Sequence, residues 1–351
     1  LAGIELRVHA TFVLLLAWLA FATYRATHSG SATLQSVAFI LALFASVVLH
    51  ELGHALTARR FGIGTREITL LPIGGVAQLE RIPSEPRQEL LVALAGPAVT
   101  VAIVIVLYVL MSLLGSRPLS LAEVRDPRAS FFAQLLWANV VLALFNLLPA
   151  FPMDGGRVLR AALAMRMDYG RATQMAARVG KAFALIFGVV GLFVTANPFL
   201  VLIALFVWLG AASEASSAQL RSSLDGVRVR QVMITDVRSV LPSDLLSTAV
   251  SHLLSGFQED LPVVENGQVV GVLTRSALVR GLHTIGPGAM VSDVMDRSFI
   301  TASPDDPLDV AYSKLAACRC RTIPVTQGRS LLGLLTSDNV AEYVVFRRAV
   351  G

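Results

Sequence analysis

The chain has 351 residues, 55% of them hydrophobic and only 15% charged, with a net charge of +5 at pH 7. This balance excludes a disordered chain and an all-soluble globular protein, and it describes a membrane protein. The positive excess requires no nucleic acid, because arginines flanking membrane spans produce it.

Ile4-Glu5-Leu6-Arg7-Val8 alternates in character and reads as a strand-like or interfacial lead-in. Apolar runs follow at about 10–24, 34–56, 88–114, 130–149, 179–195 and 198–213. Each is near the length of a bilayer-crossing helix, roughly 17–25 residues, so six spans are expected. Asn197-Pro198 separates the last two as a turn. The first residue is Leu1 and not Met, which points to a trimmed start, and nothing resembles a cleaved signal peptide. Arg59, Arg60, Arg66, Arg81 and Arg87 follow the second span, and Arg157, Arg160, Arg166, Arg171 and Arg178 follow the fourth. The opposite loops carry only Arg25, then Arg117, Arg125 and Arg128. The asymmetry orients the ends of the second and fourth spans, and both termini, toward the cytoplasm. Lysine is nearly absent beside many arginines, a pattern expected of a high-GC bacterial genome.

The second span closes on His50-Glu51-Leu52-Gly53-His54. Residues four apart lie on one helix face, so two imidazoles can reach one metal ion, and Glu51 stands beside them as a base for a metal-activated water. A pattern with three fixed positions also arises by chance. Its context decides: two imidazoles and a carboxylate at the end of an apolar helix are costly unless they bind something.

Glu67 to Glu80, around Gly74-Gly75, is too short and punctuated for a span and reads as a hairpin or loop. It is either an amphipathic connector or an open edge that binds a substrate segment by strand addition. Leu94-Ala95-Gly96-Pro97-Ala98 in the third span reads as helix packing with a bend. The fourth span closes on Asn146-Leu147-Leu148-Pro149-Ala150-Phe151-Pro152-Met153-Asp154-Gly155-Gly156. Its prolines break the helix, so Asp154 is offered from irregular backbone on the face that carries His50 and His54. A hydrolytic zinc needs three protein ligands and one open position, which these three residues supply. The plainer reading of Asp154 is a helix cap. Asn146 is either a packing amide or a donor to a developing oxyanion. Glu214 and His9, at span ends, read as interfacial or structural.

After Ser213 the composition turns ordinary and soluble. At an offset of 62, Val232-Met233 meets Val294-Met295, Pro262-Val263 meets Pro324-Val325, and Leu273-Thr274 meets Leu335-Thr336. The register marks a duplicated unit of strand, helix (Leu245 to Ser255; Leu308 to Ala316), two strands (Leu261 to Leu273; Thr322 to Leu335) and closing helix. Cys318 and Cys320 fit reduced thiols and are weak evidence for metal.

The HELGH of 50–54, the Ala-Gly-Pro of 95–97 and the Asn-x-x-Pro-x-x-Pro-x-Asp-Gly of 146–155 together resemble the site-2 protease family of intramembrane metalloproteases. The resemblance covers about residues 1–213 and differs only in Met153 where the family has Leu. It implies one zinc at His50, His54 and Asp154, Glu51 as catalytic acid and base, and Asn146 as a transition-state or substrate contact. It also implies a substrate-side role for Gly74 and Gly75, and membrane-anchored substrates such as an anti-sigma factor or transcription-factor precursor. Residues 229–351, with copies at about 229–284 and 291–346, resemble a pair of cystathionine-beta-synthase (CBS) repeats, modules that bind adenine nucleotides or dimerise. The family's Thr-x-x-Asp ribose motif stands here as Thr336 with Asn339, and as Thr274 with Ala277, so at most one nucleotide site is expected. The expected architecture is a polytopic α-helical membrane domain of about six transmembrane helices with a small β hairpin or sheet, a linker at 214–228, and a soluble α/β tandem CBS domain. A CBS-regulated transporter or a catalytically silent metal-binding scaffold is the rival reading.

Overall fold

The computed structural model describes residues 3–72, 74–80, 83, 85–114, 130–256, 258–318 and 320–350. Arg81, Arg117, Arg125 and Arg128, used above for orientation, lie outside the described residues, as does Leu1. The chain divides into two units, Leu1–Ala218 and Gln219–Gly351.

The first unit is built of helices. They are α1 (Ala10–Thr27), α2 (Gly30–Arg60), α3 (Pro86–Leu113), α4 (Phe131–Asn146), α5 (Asp154–Ala164), α6 (Tyr169–Val189) and α7 (Pro198–Leu224), with a π-helical turn, Val190–Val194, prolonging α6. Side-chain caps mark several starts: Ser29 accepts from Ala32 N, Ser130 from Ala133 N, and Asp168 from Gly170 N and Arg171 N. Among the described residues, five helices are long and apolar enough to cross a membrane, and α4 is a shorter apolar helix of 16 residues. α4 stops early because Pro149 removes a helical donor and disfavours helix at the residue before it. The fifth apolar run is longer as a helix than hydropathy suggests, since the polar turns from Tyr169 extend it at its N-terminal end. Large apolar side chains such as Leu14, Phe21, Val106 and Phe193 are more than half exposed, the surface that lipid covers.

A three-stranded sheet sits beside α2. β1 (Glu5–Val8) pairs parallel with β2 (Thr65–Leu71), and β2 pairs antiparallel with β3 (Gly74–Leu79). The order β1-β2-β3 leaves one side of β3 unpaired within the sheet. The stretch around Gly74-Gly75 is thus a hairpin, and the alternating lead-in is its third strand.

α7 does not stop where the apolar run does. Residues 214–224, read as the first part of a linker, continue it as helix, because Ala, Ser, Gln, Arg and Leu all tolerate helix and no glycine intervenes before Gly226.

The second unit carries the duplication. Copy 1 holds α8 (Leu246–Leu254), β4 (Leu261–Glu265), β5 (Gln268–Leu273) and α9 (Arg275–Thr284). Copy 2 holds α10 (Leu308–Cys318), β6 (Thr322–Gln327), β7 (Ser330–Thr336) and α11 (Ser337–Val350). One sheet of order β4-β5-β7-β6 joins them. The lead-in of each copy packs on the other. Val229 N and Arg230 N donate to Asp306 O and Pro304 O, while Val291 N and Ser292 N donate to Asp244 O and Pro242 O, the same bonds displaced by 62 residues. Val229 is accordingly in the core of copy 2 and Val291 in that of copy 1. Cys318 and Cys320, read as free thiols, are joined by a disulfide.

Candidate metal centre

The third turn from the end of α2 turns its buried face to α3. His50 and His54 are 3% and 4% exposed, and Asp154, the first residue of α5, is 9% exposed. His50 Nε2 lies 3.0 Å from Asp154 Oδ2, His54 Nε2 lies 3.1 Å from the same oxygen, and the two Nε2 atoms are 3.1 Å apart. Asp154 therefore points its carboxylate at the imidazoles instead of serving only as a helix cap.

The hydrogens in this triangle can be placed by its surroundings. His54 Nδ1 is 2.7 Å from Val92 O, a group that only accepts, so Nδ1 carries the proton and a neutral ring offers its lone pair at Nε2. His50 Nδ1 lies 2.8 Å from Thr100 Oγ1. Two imidazole nitrogens and a carboxylate oxygen thus face a common point. Lone pairs so arranged repel unless a cation lies among them. Zinc with bonds of about 2.0–2.2 Å in a tetrahedron separates its ligand atoms by about 3.3–3.5 Å, so the three donors fit that ion after adjusting by a few tenths of an ångström. This trio is the group of three or more metal-capable side chains found among the described residues.

α3 makes the convergence possible. A Cβ on Gly96 would collide with His54 Nε2 and come within 2.7 Å of His50 Nε2, so glycine there is required by close approach. Gly96 lies between Val92 and Thr100 at four-residue spacing, one face of the helix. Three residues before Val92, Glu89 is fully buried and takes Arg160 of α5 through Nε at 2.9 Å. Arg160, 3% exposed, also donates to Glu214 of α7 at 2.7 Å and lies over the rings of Phe151 and Tyr169. Asp154 is six residues before Arg160, so the helix presenting the carboxylate is tied to the helix orienting the imidazoles. Glu214, without a partner in the sequence, has this one. Glu89, Arg160 and Thr100 were missed; the first two carry a signal, since a charge buried in an apolar helix bundle demands a partner.

Glu51 is half-buried and faces β3: a Cβ on Gly75 would lie 2.9 Å from Glu51 Cγ and 3.0 Å from Val47 Cγ1. Gly75 thereby brings strand backbone against the carboxylate side chain. Gly74 has φ +142°, in the region that favours glycine. Asn146 ends α4, half-buried, and no hydrogen bond joins its side chain to the His-His-Asp trio.

In the second unit the two copies offer unequal clefts. Beside Thr274, a cavity of about 850 Å³ is bounded by Asp260, Arg275, Arg280, Asp296 and Arg321. Beside Thr336 and Asn339 the cavity holds only about 60 Å³. There Thr336 Oγ1 donates to Asn339 Oδ1 at 2.6 Å and accepts from Asn339 N, so the threonine hydroxyl is already engaged. Asp260, 6% exposed, accepts from Arg275 N at 3.0 Å, and Thr274 caps α9 through Ala277 N. Arg321 hydrogen-bonds Glu259, and that bond and charge hold the guanidinium pKa above its ordinary value.

The model of peptidase family M50 matches residues 38–127 and 116–187, and that of the CBS domain matches 229–284 and 291–345. A zinc metalloprotease of Methanocaldococcus jannaschii is 32% identical over 338 residues, covering 96% of this chain and 92% of its own length. Rip3 of Mycobacterium tuberculosis, provisionally named a zinc metalloprotease, is 31% identical over 88% of this chain and 80% of its own. Among solved structures, a site-2 protease from Methanocaldococcus jannaschii covers 61% of this chain and 92% of its own, with 37% identity and a TM-score of 0.46.

Proposed function

Because the chain belongs to peptidase family M50, the site-2 protease family of zinc metalloproteases, and carries a pair of CBS domains, we propose that it cuts a transmembrane segment of another membrane-anchored protein near the cytoplasmic face. His50, His54 and Asp154 hold one zinc ion. The observation that carries this reading is the triangle of three donor atoms 3.0–3.1 Å apart, with the His54 proton committed to Val92 O. Zinc, when bound, supplies a Lewis acid that polarises the scissile carbonyl and lowers the pKa of a water.

The protein's own groups do the rest. The Glu51 carboxylate takes a proton from the attacking water and delivers it to the leaving amine. The free side of β3 receives the substrate as an added strand, with Gly74 and Gly75 leaving its backbone uncovered. That mode also unwinds the substrate helix, whose carbonyls are otherwise hydrogen-bonded and shielded. Asn146 donates to the carbonyl oxygen as it becomes negative. The arginines after the second and fourth spans support a cytoplasmic opening. Substrates are membrane-anchored regulators, the class the family resemblance implies.

The CBS pair takes an adenine nucleotide in the copy 1 cleft, since about 850 Å³ is within the usual size of a small-molecule site and about 60 Å³ is far below it. The test of the protease reading compares membrane proteomes of cells carrying the wild type and Glu51→Gln. Segments that persist uncut only with the variant identify substrates, and identical proteomes would remove Glu51 from the chemistry.

A further inference from the structure

His50 and His54 reach the same point, yet they are steadied differently. His54 leans on main chain: Val92 O accepts its Nδ1 proton, and no side-chain substitution removes that carbonyl. His50 leans on a side chain. Thr100 Oγ1, 0% exposed, lies 2.8 Å from His50 Nδ1 and 3.4 Å from Gly96 O. A hydroxyl carries one hydrogen and two lone pairs. With its hydrogen directed to Gly96 O, it accepts from His50 Nδ1–H, and the Nε2 lone pair is left facing His54 and Asp154. Without the hydroxyl, a buried Nδ1–H has no acceptor. The ring then favours the tautomer that puts its hydrogen on Nε2, which blocks coordination, and it is free to rotate.

From this geometry we infer that Thr100 is a positioning residue of the metal site, fixing the tautomer and plane of His50. The inference rests on the reading that His50, His54 and Asp154 hold zinc. It assigns α3, which the sequence marks only for packing, a part in metal affinity: Val92, Gly96 and Thr100 on one face steady His54, admit both rings and steady His50.

The test uses the full chain in detergent, with zinc content measured against graded concentrations of a chelator. Thr100→Val keeps the shape and removes the hydroxyl; Thr100→Ser keeps the hydroxyl and removes a methyl group. The expected result is a zinc affinity lower by about 10–100-fold in Thr100→Val, the usual effect of losing an outer partner of a ligating histidine. Thr100→Ser restores affinity to near the wild-type value, and the visible spectrum of the cobalt(II) form follows the same order. Should Thr100→Val not fold, Thr100→Ala is read against Thr100→Ser in its place. Wild-type zinc affinity in a folded variant without the hydroxyl overturns the role of Thr100, as does a folded Thr100→Ser that loses zinc as readily as Thr100→Val. Absence of zinc from the wild type itself overturns both this inference and the zinc reading beneath it.

Discussion

The membrane unit and the CBS unit each carry a recognisable signature, and they differ in what the fold does with it. In the membrane unit, residues 100 positions apart in sequence are driven into a triangle 3.0–3.1 Å on a side, with both imidazoles oriented by groups of α3. In the CBS unit, duplication builds two related clefts, and divergence leaves about 850 Å³ in one and about 60 Å³ in the other. A site built from convergence tolerates little change, because both imidazoles are held by hydrogen bonds from a neighbouring helix. A site built from symmetry has a spare copy, so one half is free to close.

The comparison is broken or sharpened first at Glu51. Glu51→Gln is expected to lower the cleavage rate by about 10²–10⁴-fold, the usual contribution of a positioned acid or base, while zinc content stays unchanged. Cleavage at the wild-type rate would deny the convergent site its base. Next in size is the buried clamp on α5. Arg160→Met leaves Glu89 charged and unpaired in the interior, at an expected loss of about 3–5 kcal/mol in stability. The paired change Glu89→Leu with Arg160→Met removes both charges and is expected to recover most of it. Detergent-solubilised thermal unfolding checks both, and equal melting of Arg160→Met and wild type would show that the clamp holds nothing.

Smaller effects test the CBS half. Arg280→Ala, in the open cleft, is expected to weaken adenine-nucleotide binding by about tenfold, or about 1.4 kcal/mol, whereas Asn339→Ala leaves it unchanged. Isothermal titration distinguishes the two, and the opposite ranking would place the nucleotide in the closed copy. The smallest effect is expected at the exposed pair of Arg321 and Glu259. Arg321→Ala should leave thermal unfolding of the CBS pair within measurement error, since ion pairs in open solvent add little. A clear drop in melting temperature would show that this pair is structural.

Much of this was legible in the residues. HELGH and the proline-punctuated run to Asp154 announced the donors because their chemistry has no cheap alternative in an apolar setting. The 62-residue register announced the duplicated fold. The roles of α3 were hidden, because Val92 acts through its main chain, Gly96 through what it lacks, and Thr100 through one hydroxyl in an otherwise apolar helix. Glu214 and Arg160 are 54 positions apart, so their pairing required the fold. The ribose motif names Thr336 and Asn339, but a sequence records which groups are present and not that the threonine hydroxyl is bonded to the asparagine oxygen. Helix ends were similarly opaque: α7 runs past its apolar stretch since polarity alone does not break a helix.

The most direct test of the central claim is the metal content and coordination of the purified full-length protein. One zinc per chain, with an X-ray absorption spectrum of two imidazole nitrogens and oxygen donors, and its loss in both His54→Ala and Asp154→Ala, is the predicted result. Zinc retained in Asp154→Ala with an unchanged spectrum, or no zinc in the wild type, would contradict it.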